Sequence, residues 1–263
     1  MPPAADLMPA TDTSRSVSPL QADPQFDSYF STETERREKT REMFDSAAFA
    51  YDRAEGITAL GTGAWYRRYA LSRAGLGEGM RVLDVAAGTG LVAREACRLI
   101  GPAGRLTALD PSPGMLAELR KKLDVETLEA YAESIPLADD QVDFLSMGYA
   151  LRHVADLDVV FAEYLRVLKP GGRACVMEIT RPQSAVGRML MRLYIRGVVP
   201  LLARLVRSGP EVGRLWEYYW DTIQASVGPD EVMDAMRRAG FAEVRCHVTL
   251  GVFREYLGRK PAA

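Results

Sequence analysis

The sequence predicts an α/β fold built around a mainly parallel sheet, and two observations support this prediction. Strand-like and helical segments alternate along the middle of the chain, and helical crossovers of this kind connect parallel strands in βαβ units. The first of these strands also ends in a glycine-rich turn that leads directly into a helix. The alternation begins with RVLDVA, TGLVAREACRLI, RLTALD and PGMLAELRKKL.

The later segments continue the alternation and end in two strands. VETLEAY and VDFLSM are predicted strands, DLDVVFAEYLRVL a helix, and RACVMEI a further strand. Near the end, GPDEVMDAMRRAG predicts a helix, and FAEVRCHV and FREYLGR predict strands. The last two can pair as a hairpin across Thr249, Leu250 and Gly251, because short strands separated by a glycine-containing loop pair in this way.

Composition divides the chain into three parts. Residues 1–30 are rich in Pro, Ser, Thr, Ala and Asp without hydrophobic periodicity, which predicts a flexible extension. Residues 31–75 predict an N-terminal helical cap, and residues 76–263 the α/β domain. Within that domain, residues 183–227 predict a helical insertion broken at Pro200 and at Gly209-Pro210.

Overall composition narrows the possible functions. The 263 residues are 48% hydrophobic and 26% charged, as in globular proteins, and the formal net charge of −2 argues against nucleic-acid binding. Three scattered cysteines indicate a reducing, cytoplasmic location, and two histidines predict no metal site. We expect no transmembrane segment and no secretory signal, because no long uncharged apolar stretch occurs.

The glycine-rich turn indicates an adenosine cofactor. Gly88-Thr89-Gly90 followed by Leu91-Val92-Ala93 matches the pattern G-x-G-x-x-G/A, and Asp110 ends the next strand, where a carboxylate accepts from ribose hydroxyls. This motif fits NAD and other adenosine cofactors alike. Asp84, inside the first strand, favours S-adenosyl-L-methionine, because its carboxylate would attract an amino or sulfonium group and repel a pyrophosphate.

Longer stretches of the sequence resemble a known class. VLDVAAGTG, LTALDPSPGML, AESIPLADDQVDFL and LRVLKPGGRACVMEI are similar to motifs of class I S-adenosylmethionine-dependent methyltransferases. That resemblance implies a Rossmann-like domain with a seven-stranded sheet whose last strand is antiparallel. MFDSAAFAYD, YALRHVADLDVVFAEYLRVLKPGGRACVMEITRP and AMRRAGFAEVRCHVTLGVFREYLGRK further resemble the ubiquinone/menaquinone ring C-methyltransferases of the UbiE type.

The resemblance implies a set of cofactor contacts. It places Thr89 at the glycine turn, Asp110 on the ribose, and Tyr131 and Ala132 beside the adenine. The family has a serine at the position of Gly148, so a backbone contact is expected there. The complete set of expected cofactor residues is Asp84, Ala86, Gly88, Thr89, Gly90, Asp110, Pro111, Met115, Tyr131, Ala132 and Gly148.

Residues on the acceptor side depart from the family pattern. Glu55 replaces an asparagine, Gly63 a histidine, and Tyr149-Ala150-Leu151-Arg152-His153 replaces Phe-Gly-Leu-Arg-Asn, which suggests the same chemistry on a different acceptor. We expect Tyr51, Glu55 and Tyr149 to bind the acceptor. The alternatives are a core position for Tyr51 and a solvated position for Glu55.

Two adjacent residues are the catalytic candidates. A ring carbon becomes nucleophilic when a neighbouring hydroxyl loses its proton, and His153 can titrate near neutral pH. Arg152 stays protonated and would stabilise a phenolate. Alternatively, His153 is a helix-capping or buried hydrogen-bonded residue, and Arg152 is a surface or ion-pair residue.

The inserted segment is rich in arginine. No acidic residue occurs between Glu178 and Glu211, whereas six arginines do. One interpretation is a lid over an apolar substrate, touching an anionic membrane or a phosphate through residues 183–209. The other is a lid or homodimer helix whose arginine face is solvated.

Together these features predict an enzyme that transfers a methyl group from S-adenosyl-L-methionine to a small apolar acceptor, favoured as a ring carbon of a phenolic or quinone-like compound. The alternative acceptors are oxygen, nitrogen or non-aromatic carbon of a specialised metabolite. Two alternatives of other classes are a cofactor-binding protein without catalysis and an NAD-dependent oxidoreductase.

Overall fold

The computed structural model describes residues 18–19, 32–59, 61–199 and 220–262, and these form a single seven-stranded sheet with helices on both faces. The strands are β1 (Arg81–Val85), β2 (Arg105–Leu109), β3 (Glu126–Leu128), β4 (Val142–Gly148), β5 (Leu168–Ile179), β6 (Ala242–Thr249) and β7 (Phe253–Arg259).

The sheet has the predicted topology. Its strand order is β3-β2-β1-β4-β5-β7-β6, and β1 pairs in parallel with both β2 and β4. β7 runs antiparallel to β5 and to β6, which confirms the antiparallel last strand. The predicted β6–β7 hairpin is also present, and it turns through Leu250 and Gly251, both with positive φ.

Helices pack on the two faces of the sheet and complete two hydrophobic cores. The helices are α1 (Glu33–Thr58), α2 (Gly63–Arg73), α3 (Leu91–Ile100), α4 (Pro113–Arg120), α5 (Leu157–Val167), α6 (Ala185–Leu193) and α7 (Pro229–Arg238). Because side chains alternate along a strand, Leu83 joins the core that contains Phe161 of α5, and Val82 joins the core that contains Ala96 of α3.

The described residues of the predicted N-terminal cap and of the predicted insertion are mainly helical. α1 and α2 precede the sheet, and α6 follows β5 and continues into a π-helical turn, Tyr194–Val198. Residues 220–225 are helical as well, whereas the middle of the insertion lies outside the described residues. So does the predicted flexible extension, apart from residues 18–19, where the Pro19 carbonyl accepts a hydrogen bond from the Val227 N–H at 2.9 Å.

Carboxylates on α1 attach this helix to the carboxyl edge of the sheet. Asp45 accepts hydrogen bonds from the Ser112 hydroxyl and, at 2.9 Å, from the Gly114 N–H at the start of α4. Nearly two turns before the end of the helix, Asp52 accepts from the Thr89 hydroxyl and from Lys122 Nζ, the latter at 2.6 Å. α1 therefore lies directly over the loops that follow β1 and β2.

Close packing of α3 on the sheet requires a glycine at the end of β4. A Cβ atom added to Gly148 would lie 2.6 Å from Cγ2 of Val92, which is itself buried in the core below α3. Valine has one preferred rotamer in a helix and cannot turn aside freely. Val92 thus occupies the space that a side chain at position 148 would need.

We expect Gly148→Ala to lower the free energy of unfolding by about 1–3 kcal/mol, because overpacking of a filled core costs that much. Val92→Ala in the same chain should recover much of the loss by removing the opposing methyl group. Urea denaturation of the two single variants and the double variant measures this coupling. Strict additivity of the two changes would contradict the proposed contact.

Candidate active site

A cavity opens at the carboxyl ends of β1, β2 and β4. It encloses about 850 Å³, counting the space that opens to solvent at its mouth. The strand order reverses between β1 and β4, and open parallel sheets bind ligands at this reversal. The cavity therefore lies where the fold class places a cofactor.

The turn between β1 and α3 forms the floor of the cavity. Ala86, Gly88 and Gly90 all have positive φ, at 52°, 55° and 88°. No heavy atom lies within 4 Å of the position of a Cβ on Gly88, so the turn leaves its backbone open to a ligand. A side chain at position 88 would meet no steric obstacle, so space does not explain the glycine. The left-handed backbone conformation is the reason that glycine is favoured there.

Asp110, at the end of β2, faces the same turn. Its Oδ2 accepts a hydrogen bond from the Gly88 N–H at 2.8 Å, and its Oδ1 accepts from the Ser112 N–H at 2.9 Å. Burial raises the pKa of Asp110 to about 6, although both N–H groups lower it. The carboxylate is thus fixed in position and titrates close to neutral pH.

Asp84 lies behind the turn rather than on the cavity surface. It is fully buried and accepts a hydrogen bond from the Ser146 hydroxyl at 2.7 Å through Oδ1. Burial raises the pKa of Asp84 to about 7, while Ser146 and the backbone N–H of Ala93 lower it. Its hydrogen-bond partners therefore lie on β4 and in the first turn of α3, and Asp84 does not line the cavity.

The opposite wall of the cavity is largely aromatic and holds His153. The His153 ring meets Phe44 of α1 edge to face, with centroids 5.5 Å apart, and Tyr51 and Tyr149 line the same cavity. His153 is partly buried, but its Nε2 atom is shielded from solvent. Burial lowers the pKa of His153 well below its usual value, and the positive charges of Arg152 and Arg36 lower it further. The imidazole is therefore neutral at physiological pH.

Arg152 forms a buried ion pair, the alternative that its sequence context left open beside contact with a phenolate. Its side chain and that of Glu178 are only 3% and 4% exposed, and Nη1 lies 2.5 Å from Glu178 Oε1. Nη1 also donates to the Tyr149 carbonyl at 2.8 Å, and Nε donates to Thr222 Oγ1 at 3.1 Å. Because Glu178 neutralises the guanidinium and Arg152 does not line the cavity, its role is to hold the Tyr149 backbone and the insertion in place.

Glu55 is likewise engaged away from the cavity. Its Oε1 lies 2.5 Å from Nη2 of Arg67, and the Arg67 guanidinium lies over the Tyr149 ring, 5.6 Å from its centroid. Glu55 is thus neither fully solvated nor in contact with the acceptor space. It supports Tyr149 indirectly, through Arg67.

The family model described as the ubiE/COQ5 methyltransferase family matches residues 32–260. The chain belongs to this family. It is 31% identical over 253 residues to the ubiquinone/menaquinone biosynthesis C-methyltransferase UbiE of Shewanella halifaxensis, covering 92% of this chain and all of that protein. It is 32% identical to the UbiE of Pseudomonas paraeruginosa, covering 87% of this chain and 91% of the relative.

Solved structures show the same fold. A possible histamine N-methyltransferase from Thermotoga maritima matches with a TM-score of 0.60 and 23% identity, covering 83% of this chain and 98% of that one. An S-adenosylmethionine-dependent methyltransferase from Aquifex aeolicus matches with a TM-score of 0.56 and 20% identity, covering 78% and 97%. The protein is an S-adenosylmethionine-dependent methyltransferase, and this assignment replaces the two alternatives of a non-catalytic protein and an NAD-dependent oxidoreductase.

The cavity of the methyltransferase fits this cofactor. Most of the residues predicted to bind the cofactor or the acceptor, or to act in catalysis, line this cavity. They are Tyr51, Ala86, Gly88, Asp110, Pro111, Met115, Tyr131, Ala132, Gly148, Tyr149 and His153. Five others do not line it, namely Asp84, Thr89, Gly90, Glu55 and Arg152. Asp110 and the open Gly88 backbone suit ribose and methionine groups, and the buried Asp84 carboxylate gives the turn a negative field that suits a cation.

Sequence reasoning predicted one residue of α1, Tyr51, at the site and missed the four others that line the cavity. Arg37, Thr40, Arg41 and Phe44 line the cavity together with Tyr51. Their intervals of three and four residues place them on one face of a helix. This helical periodicity is the sequence feature that could have identified them as residues with a common neighbour. What that face covers depends on how α1 docks, and its own pattern does not contain this information.

Two further results concern the described residues alone. None of the helices they form is long and apolar enough to cross a membrane. Their His, Cys, Asp and Glu side chains form no group of three or more that could hold a metal ion.

The pKa of Asp110 in the protein without ligand is about 6. We therefore expect the affinity for the product S-adenosylhomocysteine to rise as the pH increases through this value and then to level off. The ionised carboxylate is the better acceptor for ribose hydroxyls, so binding favours the form that predominates above this pKa. Asp110→Asn should flatten this dependence and weaken binding by about 1.5–3 kcal/mol. Calorimetric titration across pH measures both effects.

The control for this experiment is Asp139→Asn, which removes a carboxylate from an exposed loop at the other end of the sheet. Its affinity curve should overlay that of the unaltered protein. An Asp110→Asn protein that keeps the pH-dependent step near 6 would remove Asp110 from the ribose role.

We expect Glu178→Gln to lower the free energy of unfolding by about 3–5 kcal/mol, because it leaves the buried Arg152 charge without a counter-charge. Asp139→Asn is again the comparison, since its partner Arg166 is solvent-accessible and the pair contributes about 1 kcal/mol or less. Urea denaturation measures both changes. Equal and small effects would show that the Arg152–Glu178 pair is not isolated from water.

Proposed function

We propose that this methyltransferase transfers the methyl group to a ring carbon of a small phenolic or quinone-like acceptor. The observation that carries the proposal is a neutral histidine, His153, in an aromatic wall of the cavity, opposite the glycine turn. A flat apolar ring would be held by Phe44, Tyr51 and Tyr149. The relatives in Shewanella and Pseudomonas are named as ubiquinone/menaquinone biosynthesis C-methyltransferases, which supports an acceptor of this class.

His153 is proposed to prepare the acceptor for reaction. As a neutral base, its imidazole accepts the proton of a ring hydroxyl, and the resulting phenolate increases the electron density at the neighbouring ring carbon. The bound S-adenosylmethionine supplies an electrophilic methyl group on its sulfonium. The protein otherwise positions the two reactants and keeps water away, and α1 contributes to this by covering the cavity.

The cofactor contacts are proposed from the same geometry. Asp110 would accept from the ribose hydroxyls, and Tyr131 and Ala132 would lie beside the adenine. Arg37 lies over the Tyr131 ring at 5.1 Å and donates to Glu133 at 2.8 Å, which fixes the ring from the side of α1. Thr89 would act by holding the turn against α1 through Asp52, and Asp84 by joining β1 to β4 through Ser146 behind the turn.

Departures from the family pattern support an acceptor that differs from those of the relatives. Tyr149 and His153 stand where the family has phenylalanine and asparagine, and both line the cavity. The glutamate at position 55 supports Tyr149 through Arg67. These changes place added polar atoms beside the acceptor, so we propose a ring that carries a hydroxyl or carbonyl group within reach of them.

The direct test is incubation of the purified enzyme and a cell extract with methyl-labelled S-adenosylmethionine, followed by mass spectrometry of the small molecules. The proposal predicts label on a phenolic or quinone-like ring, at carbon, in a product that resists mild demethylation. Label on oxygen or nitrogen would replace it with the alternative of a specialised-metabolite methyltransferase.

We expect His153→Ala to lower kcat by ~10²-fold or more, the usual scale of general acid–base catalysis, with little change in S-adenosylhomocysteine affinity. Because the pKa of His153 lies well below its usual value, kcat of the unaltered enzyme should stay constant across neutral pH and fall only in acid, where the ring becomes protonated. Steady-state kinetics across pH measures both.

His153→Asn is the discriminating variant, because asparagine forms hydrogen bonds but cannot act as a base. A loss similar to that of His153→Ala supports proton transfer. Full activity of His153→Asn would show that position 153 only orients the acceptor, and that the reaction relies on positioning alone.

A further inference from the structure

A glycine at the start of α2 leaves room for the ion pair between Glu55 and Arg67. A Cβ atom added to Gly63 would collide with Glu55 Oε1 and would lie 2.8 Å from Arg67 Nη1, closer than packed atoms approach each other. The backbone of Gly63 lies outside the left-handed region, so conformation does not explain the glycine. The space that the ion pair occupies is therefore the reason that glycine is favoured at position 63.

This ion pair holds a positive charge against the ring of Tyr149. The Arg67 side chain is only 4% exposed, and its guanidinium lies 5.6 Å from the centroid of the ring. An arginine over an aromatic face is attracted to it, most strongly where water is excluded. Arg67 Nε has no hydrogen-bond partner among the described residues, so Glu55 and the Tyr149 ring are the contacts that fix the guanidinium.

The backbone of Tyr149 is held in a conformation that tyrosine rarely adopts. Its φ is 62°, a value at which the Cβ atom is crowded by the backbone. The Tyr149 N–H donates to the Met177 carbonyl at 2.7 Å, and the Tyr149 carbonyl accepts from Arg152 Nη1 at 2.8 Å. Strained residues persist only where their surroundings fix them, and they cluster at binding and active sites. The fold thus fixes Tyr149 through both its backbone and its ring.

The hydroxyl of Tyr149 is not used by the fold. Tyr149 lines the cavity, and its hydroxyl forms no hydrogen bond with any residue of the described part of the chain. Burial raises the pKa of Tyr149, although the charge of Arg67 lowers it, so the hydroxyl keeps its proton at neutral pH and can donate. A ligand that offers an oxygen to this group would satisfy it.

We propose that Tyr149 determines acceptor specificity by donating a hydrogen bond from its hydroxyl to an oxygen of the acceptor ring. Arg67 is the positioning residue for this contact, and Glu55 holds Arg67 in the space beside Gly63. The proposal rests on the proposed function, since it takes a ring that carries oxygen as the methyl acceptor. It adds the group that recognises this oxygen.

The chemistry of the reaction needs such a donor. When His153 takes a proton from the acceptor, negative charge spreads over the ring and its oxygens, and a fixed hydrogen-bond donor stabilises it. Arg152 does not supply this contact, because Glu178 neutralises it and it does not line the cavity. A site that hydrogen-bonds an oxygen of its substrate also discriminates against a ring that lacks it.

Two probes that differ by one hydroxyl test the contact, namely naphthol and naphthalene. Calorimetric titration of the full chain, with S-adenosylhomocysteine present, measures the affinity for each. We expect the unaltered enzyme to prefer naphthol, and Tyr149→Phe to lower this preference about fivefold, which is the net contribution of one hydrogen bond. The affinity for S-adenosylhomocysteine should not change, which shows that the variant is folded.

Gly63→Ala tests the positioning role of Arg67. Its added methyl group displaces the Glu55 carboxylate from Arg67, so it should lower the preference for naphthol. It should have little further effect on a Tyr149→Phe background, because both changes act through the same hydroxyl. Gly56→Ala is the matched control, since it adds a methyl group next to Glu55 in α1, where no atom lies within 4 Å. It should bind both probes as the unaltered enzyme does.

A second measurement needs no acceptor. Fluorine NMR follows the ionisation of a trifluorotyrosine placed at position 149, whose hydroxyl is more acidic than that of tyrosine. Arg67→Gln should raise the pKa of this hydroxyl, because it removes the positive charge over the ring, and Arg67→Lys should keep the pKa closer to its original value. If the glutamine variant does not bind S-adenosylhomocysteine and so is not folded, the probe preference of Gly63→Ala decides the question.

Three results would overturn the proposal. The first is an equal preference for naphthol in the unaltered enzyme and in Tyr149→Phe, or no preference in either. The second is the same preference in Gly63→Ala as in Gly56→Ala. The third is a pKa at position 149 that Arg67→Gln leaves unchanged. The labelled-methyl experiment reports which atom is methylated, so its failure would change the proposed function and is distinct from these three results.

Discussion

The left-handed turn between β1 and α3 is the constraint on which the rest of the site depends. Ala86, Gly88 and Gly90 adopt positive φ there. This backbone conformation turns the chain from the end of β1 into α3 and leaves the carboxyl edge of the sheet open to a ligand. The Gly88 N–H then binds Asp110 and the Thr89 hydroxyl binds Asp52, so one turn fixes both the carboxylate of β2 and the docking of α1. The cavity is the space that these attachments leave between them.

Burial sets the charge states around this space. It raises the pKa values of Asp84 and Asp110 toward neutrality and lowers that of His153, because each charged form loses its hydration. The carboxylates lie on the side of the glycine turn, and the neutral imidazole lies on the aromatic side. A side that carries carboxylates and suits a cationic cofactor thus meets, in one cavity, an aromatic side that suits an apolar ring.

The Arg152–Glu178 pair shows how a functional assignment depends on a partner distant in sequence. Beside His153 in the chain, Arg152 has the chemistry of an oxyanion-stabilising residue, and its alternative as an ion-pair residue could not be decided locally. Glu178 comes from the end of β5 and Thr222 from the insertion, and both reach Arg152 only after the sheet has formed. The pair holds the Tyr149 carbonyl and so supports the acceptor wall from behind.

The sequence by itself determined the fold class, the strand and helix order, the glycine turn and the position of Asp110, because each of these depends on local periodicity or on a short motif. The resemblance to a methyltransferase family added the antiparallel last strand and the cofactor. Only the tertiary structure showed that α1 covers the cavity and that Arg152 and Glu55 are engaged in ion pairs. These features depend on which surfaces meet across the fold, and contacts between residues far apart in sequence leave no periodic signal in either segment.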